Sequence, residues 1–227
     1  MYKNALRPAW AEINLSNLDF NIKNIKAKIG DREMIGVIKA DAYGHGSVKV
    51  AEVLRENGCK TFAVATLHEA ITLREGGCTE EIIILGLTPD MYASTIVDYG
   101  FTPVVNDAAN AAAIDAAAKA KNEAAIKEVL PPSAVAIEEE RTVDFEGASY
   151  SYNLAYDEQG NTVGCAINVA PVGFGGPIAI KVGFDANGVI WNTKVLSQAE
   201  TPGLGAKCTE PAFAEQFKGF DPSAKKL

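Results

Sequence analysis

Ile35-Gly36-Val37-Ile38-Lys39-Ala40-Asp41-Ala42-Tyr43-Gly44-His45-Gly46 gathers the reactive residue types of this 227-residue chain into one dozen. A lysine closing an apolar strand is unusual, because its ammonium loses water there without gaining a partner. At the C-terminal mouth of a (β/α) barrel, where catalytic groups collect, that desolvation favours the free amine. A free amine can form a Schiff base with an aldehyde cofactor. The same placement also suits a lysine whose stem packs while its head snorkels into water, and position alone favours this second reading. His45, between two glycines, reads as part of the turn rather than as a ligand. A second stretch, Glu200-Thr201-Pro202-Gly203-Leu204-Gly205, is a stiff turn whose glycines let a planar or anionic ligand approach the backbone. An ordinary Pro-Gly loop would be spelled the same way.

Other chemistries are disfavoured. Cys59, Cys78, Cys165 and Cys208 are 19, 87 and 43 residues apart, with only His45 and His68 to join them, so no zinc-ligand spacing exists. They read as dispersed, buried or half-buried free thiols. Through Asp107 there are 11 basic and 14 acidic residues, and beyond it 10 and 15. Neither half offers the basic face that a phosphate backbone requires, which argues against nucleic acid. No run approaches the roughly 18 apolar residues of a membrane span. No signal-peptide core follows Met1, and a cytoplasmic protein is the expectation.

Two kinds of grammar must position these residues. Trp10 to Leu15 reads as a strand, and Ser16 as the N-cap of a helix to Ile29, with Leu18, Ile22, Ile25 and Ile29 on its buried face. Strands are expected at 34–38, 61–65, 81–85 and from Thr102, with helices at 47–57, 67–74 and 91–99 between them. Apolar strands alternating with helices mean a parallel sheet covered by helices, either a barrel or a doubly wound sheet. About four strands are too few to close an eight-stranded barrel, so a sheet edge should stay open. From Ala108 to Ala125, 11 of 18 residues are alanine, a helix by propensity that runs to Val129 and must stop at Pro131-Pro132. The remainder reads as antiparallel strands at 143–145, 149–156, 163–169, 178–184 and 189–196. Asp157-Glu158-Gln159-Gly160, Gly173 to Pro177 and Asp185-Ala186-Asn187-Gly188 supply the turns. Glu138-Glu139-Glu140 reads as a solvated loop.

Arg7-Pro8-Ala9-Trp10-Ala11-Glu12-Ile13, Val37 to Gly46 and Phe62-Ala63-Val64-Ala65 together resemble the start of alanine racemases. Glu69-Ala70, Leu73-Arg74 and Ile84-Leu85-Gly86 extend the resemblance over about residues 5–106. It implies that Lys39 forms the Schiff base with pyridoxal 5'-phosphate (PLP) and acts as the base on one face of the substrate, alanine. It places Tyr43 beside the cofactor, and it implies a homodimer. The family's later parts, which carry the arginine on the pyridine nitrogen, most of the phosphate cup and the opposite-face tyrosine, have no counterpart in this chain. Racemisation needs proton donors on both faces of a planar carbanion, and only one is legible.

Gly173-Phe174-Gly175-Gly176-Pro177-Ile178, the strand beyond it, Glu200 to Lys207 and Gln216-Phe217-Lys218-Gly219 resemble the FMN-binding domain of the Rnf and Nqr electron-transport complexes, in their G and C subunits. That resemblance covers about residue 117 to the end. It implies flavin contacts at Glu200, Thr201, Gly203, Leu204 and Gly205. The family's covalent attachment threonine lies downstream of Gln-Phe-x-Gly, so any FMN held is expected to be non-covalent, with the 200–205 amides facing outward from a concave face.

The expected fold class is therefore α/β followed by α+β. A partial (β/α) barrel segment spans 1–107, an Ala-rich helix 108–130, and an antiparallel FMN-binding-like sheet domain 131–227. Three functions stay open at this point: a PLP-dependent racemase segment acting through Lys39, a flavin redox module like an Rnf/Nqr subunit, or an inactive chimera of two truncated genes.

Overall fold

The computed structural model describes residues 11–201 and 203–224. Arg7 to Trp10, part of the first resemblance, and Pro202 in the second lie outside the described residues. The chain forms two compact units, Met1–Ala118 and Lys119–Leu227.

In the first unit, strands β1 (Ile35–Val37), β2 (Thr61–Val64), β3 (Glu81–Ile84) and β4 (Thr102–Pro103) form a wholly parallel sheet in that order. Helix α1 (Leu15–Ile29), the single turn α2 (Lys39–Gly44), α3 (Ser47–Glu56), α4 (Leu67–Glu75) and α5 (Ala93–Tyr99) alternate with the strands. Gly36 stands opposite Phe62 and Phe62 opposite Ile82, which sends one row of side chains to the helix side. There Phe62, Val64, Leu73, Ile82, Ile84 and Ile96 are almost wholly buried. The other face is open at its edges: Ile35 and Val37 are 53% and 49% exposed, and Leu85 and Val104 are also exposed. In a closed barrel this face would be the interior. The sheet stops at four strands with β1 and β4 as its edges, the partial barrel that the strand count implies.

Three details at the start differ from the sequence reading. Residues 11–14 carry no regular structure where a strand was expected, and among the described residues no strand is paired with them. Asn14, not Ser16, caps α1, its side-chain oxygen accepting from the Asn17 amide at 3.0 Å. On α1 only Ile22 is fully buried and Ile25 is 49% exposed, because the helix packs on α3 along a narrow line rather than a broad face.

Cys59 and Cys78 are buried free thiols, and Cys165 and Cys208 are half-buried. Burial, reinforced by its hydrogen bond to Glu80, pushes the Cys78 thiol up to about 12. The native thiol thus keeps its proton where the unfolded one, near 9.0, has lost it. Its contribution to stability is complete below about pH 9 and is lost as pH rises toward 12. Since only the thiolate is nucleophilic, iodoacetamide at pH 8 is expected to leave Cys78 unmodified in the native chain and to label it in urea. Equal labelling rates in both states would show that this thiol is not shielded.

Helix α6 (Ala108–Val129) is the alanine-rich segment, and its residues from Lys119 onward belong to the second unit. There β5 (Ala136–Ile137), β6 (Arg141–Phe145), β7 (Ala148–Tyr156), β8 (Thr162–Val169), β9 (Ala179–Asp185) and β10 (Ile190–Ser197) form an antiparallel sheet, followed by the short α7 (Pro211–Glu215). The order is β10-β9-β8-β7-β5, with β6 also on β7. Two of the hairpins turn by the same device. Asp157 accepts from the Gln159 and Asn161 amides, and Asp185 from those of Asn187 and Val189. Gly160 and Gly188 each supply a φ of +81°.

Ile126, Val129 and Leu130 pack on Ala155 and Ala166. Gly183 is obligatory beneath them, since a Cβ there would stand 1.9 Å from the Val129 carbonyl oxygen. The acidic run is not merely solvated: Glu138 accepts from Arg141 and from the Tyr156 hydroxyl, and Glu140 from Asn168. Among the described residues no helix is long and apolar enough to cross a membrane.

Candidate functional site

The reactive dozen sits where β1 leaves the sheet. Ile38, 3% exposed, donates to the Ala63 carbonyl at 3.0 Å and makes the last backbone rung between β1 and β2. Lys39 follows, half-buried, as the first residue of α2. The backbone then inverts its hand: Ala40, Asp41, Ala42 and Tyr43 have φ between 51° and 55° and ψ between 38° and 46°. Four successive non-glycine residues in the left-handed region cost about 1–2 kcal/mol each. Such a turn persists only where its surroundings over-determine it.

Several bonds do so. Ala42 donates to the Ile38 carbonyl at 2.9 Å, and Gly46 to that of Asp41 at 3.0 Å. The Asp41 carboxylate accepts from the Ser47 amide at 2.7 Å. It thereby supplies the cap that α3, preceded by Gly46, lacks from its own N-cap side chain. His45 Nδ1 lies 3.0 Å from the Ala42 carbonyl, so His45 does shape the turn. Glu69 accepts from the Ala40 amide at 2.8 Å, from Ala65 at 2.7 Å and from Thr66 at 3.1 Å.

Lys39 and Tyr43 thus share one rigid turn at the C-terminal side of the parallel sheet. Tyr43 is 65% exposed. Among the described residues no hydrogen bond or ion pair engages the Lys39 ammonium. The sequence did not reveal Asp41 and Glu69 as parts of this turn. Thr66-x-x-Glu69 is a legible capping box, but the contact to Ala40, 29 residues away, has no local signature.

The second candidate behaves differently. Glu200 is 8% exposed and turns inward, accepting from the Gly175 amide at 2.9 Å. A Cβ on Gly173 would stand 2.2 Å from Glu200 Oε1, and one on Gly205 would stand 2.4 Å from Oε2. These two glycines therefore make room for the chain's own carboxylate. Thr201, Gly203 and Leu204 are exposed, Gly203 with a φ of +77°. The Leu204 amide donates back to the Thr201 carbonyl at 3.1 Å, as does the Ala206 amide at 3.2 Å. That loop is closed largely by its own bonds, rather than displaying a row of outward amides.

The model of the alanine racemase N-terminal domain matches residues 13–127, and that of the FMN-binding domain matches residues 173–226. An alanine racemase of Clostridium kluyveri is 48% identical over 116 residues, covering 51% of this chain and 30% of that protein. One of Clostridium tetani is 49% identical over 105 residues, covering 46% and 27%. A solved alanine racemase of Clostridium difficile 630 shares 42% identity over 52% of this chain and 32% of that one, with a TM-score of 0.49. The chain spans less than a third of the length of these relatives.

Proposed function

The chain belongs to the alanine racemase N-terminal domain family, and from that premise we propose that residues 1–107 form a PLP-binding racemase segment in which Lys39 carries the cofactor. The observation that supports this is the Lys39 turn: a half-buried lysine whose amine has no bonded partner among the described residues, at the C-terminal side of a parallel sheet, with Tyr43 in the same turn. An aldehyde needs such an amine, and an aromatic phosphate ester can lie along the exposed Tyr43 ring. PLP, when bound, supplies the electron sink that lets the Cα–H bond of an amino acid ionise.

The rest belongs to the chain. Lys39 Nζ would hold the cofactor and, once the substrate amine has displaced it, would take the α-proton on the face it occupies and return it there. Tyr43 borders the same space and limits how the ring can lie. Alanine is the proposed substrate, as the names of the relatives suggest, and a homodimer is the proposed assembly.

For the second segment we propose a non-covalent FMN-binding role, supported by the family match at residues 173–226. Thr201, Gly203 and Leu204 are exposed and available to a ligand, whereas Glu200 and Gly205 brace the loop from within. The inward carboxylate fits a flavin phosphate poorly.

A titration of the full chain with PLP, followed by visible absorption, tests the Lys39 reading. A saturable Schiff-base band that is absent from Lys39→Ala is expected. The same band in both proteins would remove the role proposed for Lys39.

A further inference from the structure

Glu69 does something in this turn that a helix cap does not require. The capping box of α4 needs the Glu69 side chain on the Thr66 amide and the Thr66 hydroxyl on the Glu69 amide, and both bonds are made. Those bonds engage only Oε2 of the carboxylate. Oε1 reaches across to α2, just beyond β1, and accepts from the Ala40 amide at 2.8 Å.

The sheet explains the need. Between β1 and β2 the last backbone rung is Ile38 to Ala63. The next carbonyl along, Ala65, is taken by Gly86 from the β3 side at 3.0 Å. Ala40 therefore finds no backbone acceptor there. Glu69 stands in for the missing rung, accepting from Ala40 with one oxygen and from Ala65 with the other.

We propose that Glu69 is a positioning residue for Lys39, a charged substitute rung that fixes the peptide just after the lysine and starts the left-handed turn. The proposal rests on the reading of Lys39 as the cofactor-carrying amine. The chemistry asked of the carboxylate is specific. It must accept three amides and donate nothing, so the isosteric Glu69→Gln sets a side-chain NH₂ against at least one backbone N–H. Removing a hydrogen bond to a charged group typically costs enough for about a tenfold change in an equilibrium or more. With the turn loosened, the lysine samples orientations from which its amine no longer meets the aldehyde.

The test compares the full-length wild type, Glu69→Gln and Thr66→Ala. Thr66→Ala removes the hydroxyl half of the cap and leaves the Ala40 bond in place. Two quantities are read: hydrogen exchange of the Ala40 amide without cofactor, and the rate at which added PLP forms a borohydride-reducible adduct on Lys39. Glu69→Gln is expected to speed Ala40 exchange and slow adduct formation, each roughly tenfold. Thr66→Ala is expected to lower the melting temperature while leaving both readings near wild type. The proposal is overturned if Glu69→Gln matches wild type in both, or if Thr66→Ala reproduces both losses. A wild type that forms no adduct on Lys39 would instead overturn the underlying reading, and Ala40 exchange would still report whether Glu69 holds the turn.

Discussion

In heavy water with PLP and alanine, the Lys39→Ala chain is expected to lose enzymatic exchange of the substrate α-proton, leaving only the rate of free PLP in solution. The lysine has two jobs in the account, attaching the cofactor and moving the proton, and alanine can do neither. A positioned acid or base is typically worth about 10²–10⁴ in rate, so the loss should be at least of that order. In the wild type the exchange should be one-sided. A base on a single face removes the proton of one enantiomer and returns deuterium to the same face, so deuterium enters faster than configuration is lost. Proton NMR of recovered alanine, with chiral separation, reads both. Exchange at wild-type rate in Lys39→Ala would assign the proton transfer to another group.

Phe62→Ala is expected to destabilise the first unit by about 3–5 kcal/mol, the usual loss for a large aromatic removed from a packed core. Phe62 is 0% exposed at the centre of β2, where the parallel sheet meets its helices. Since domains hold only about 5–15 kcal/mol in all, the variant should unfold at a clearly lower urea concentration than wild type. Phe20, on α1 and 65% exposed, is the matched control, and Phe20→Ala should lie within about 0.5 kcal/mol of wild type. Urea unfolding, followed through the amides of β2 and β3, separates them. A similar midpoint for both variants would mean that the first unit is not organised around this core.

The contrast between the two phenylalanines shows what the sequence could convey. Buried strands announce themselves as apolar runs, and four parallel strands, the alanine-rich helix and five of the six antiparallel ones follow from periodicity and from Asp-x-x-Gly turns. The two-residue β5 has too few residues to show a period. The exposed side of β1 was hidden for another reason: Ile35 and Val37 are as apolar as the buried Ile38, and only their place on the open face of an edge strand leaves them exposed. Within the site, Lys39 and Tyr43 were legible by resemblance. Their left-handed backbone was not, because nothing in Ala40-Asp41-Ala42-Tyr43 favours positive φ over an ordinary helical turn. The turn is fixed by longer-range bonds, from the Ser47 amide to its own Asp41 and from Ala40 to Glu69 in the next strand–helix unit. Lys181 is a further case. It sits wholly buried in β9, its ammonium without a hydrogen bond and its pKa lowered by burial, at a position where the pattern calls only for strand.

The most direct measurement is the site of covalent capture. Full-length wild type and Lys39→Ala, each mixed with PLP, are reduced with borohydride, digested and mapped by mass spectrometry. One dominant phosphopyridoxyl peptide is expected, carrying Lys39, which disappears in the variant while labelling at exposed lysines stays low and unchanged. Equal total labelling of the two proteins, spread over surface lysines, would contradict it and leave Lys39 as a residue that merely ends a strand.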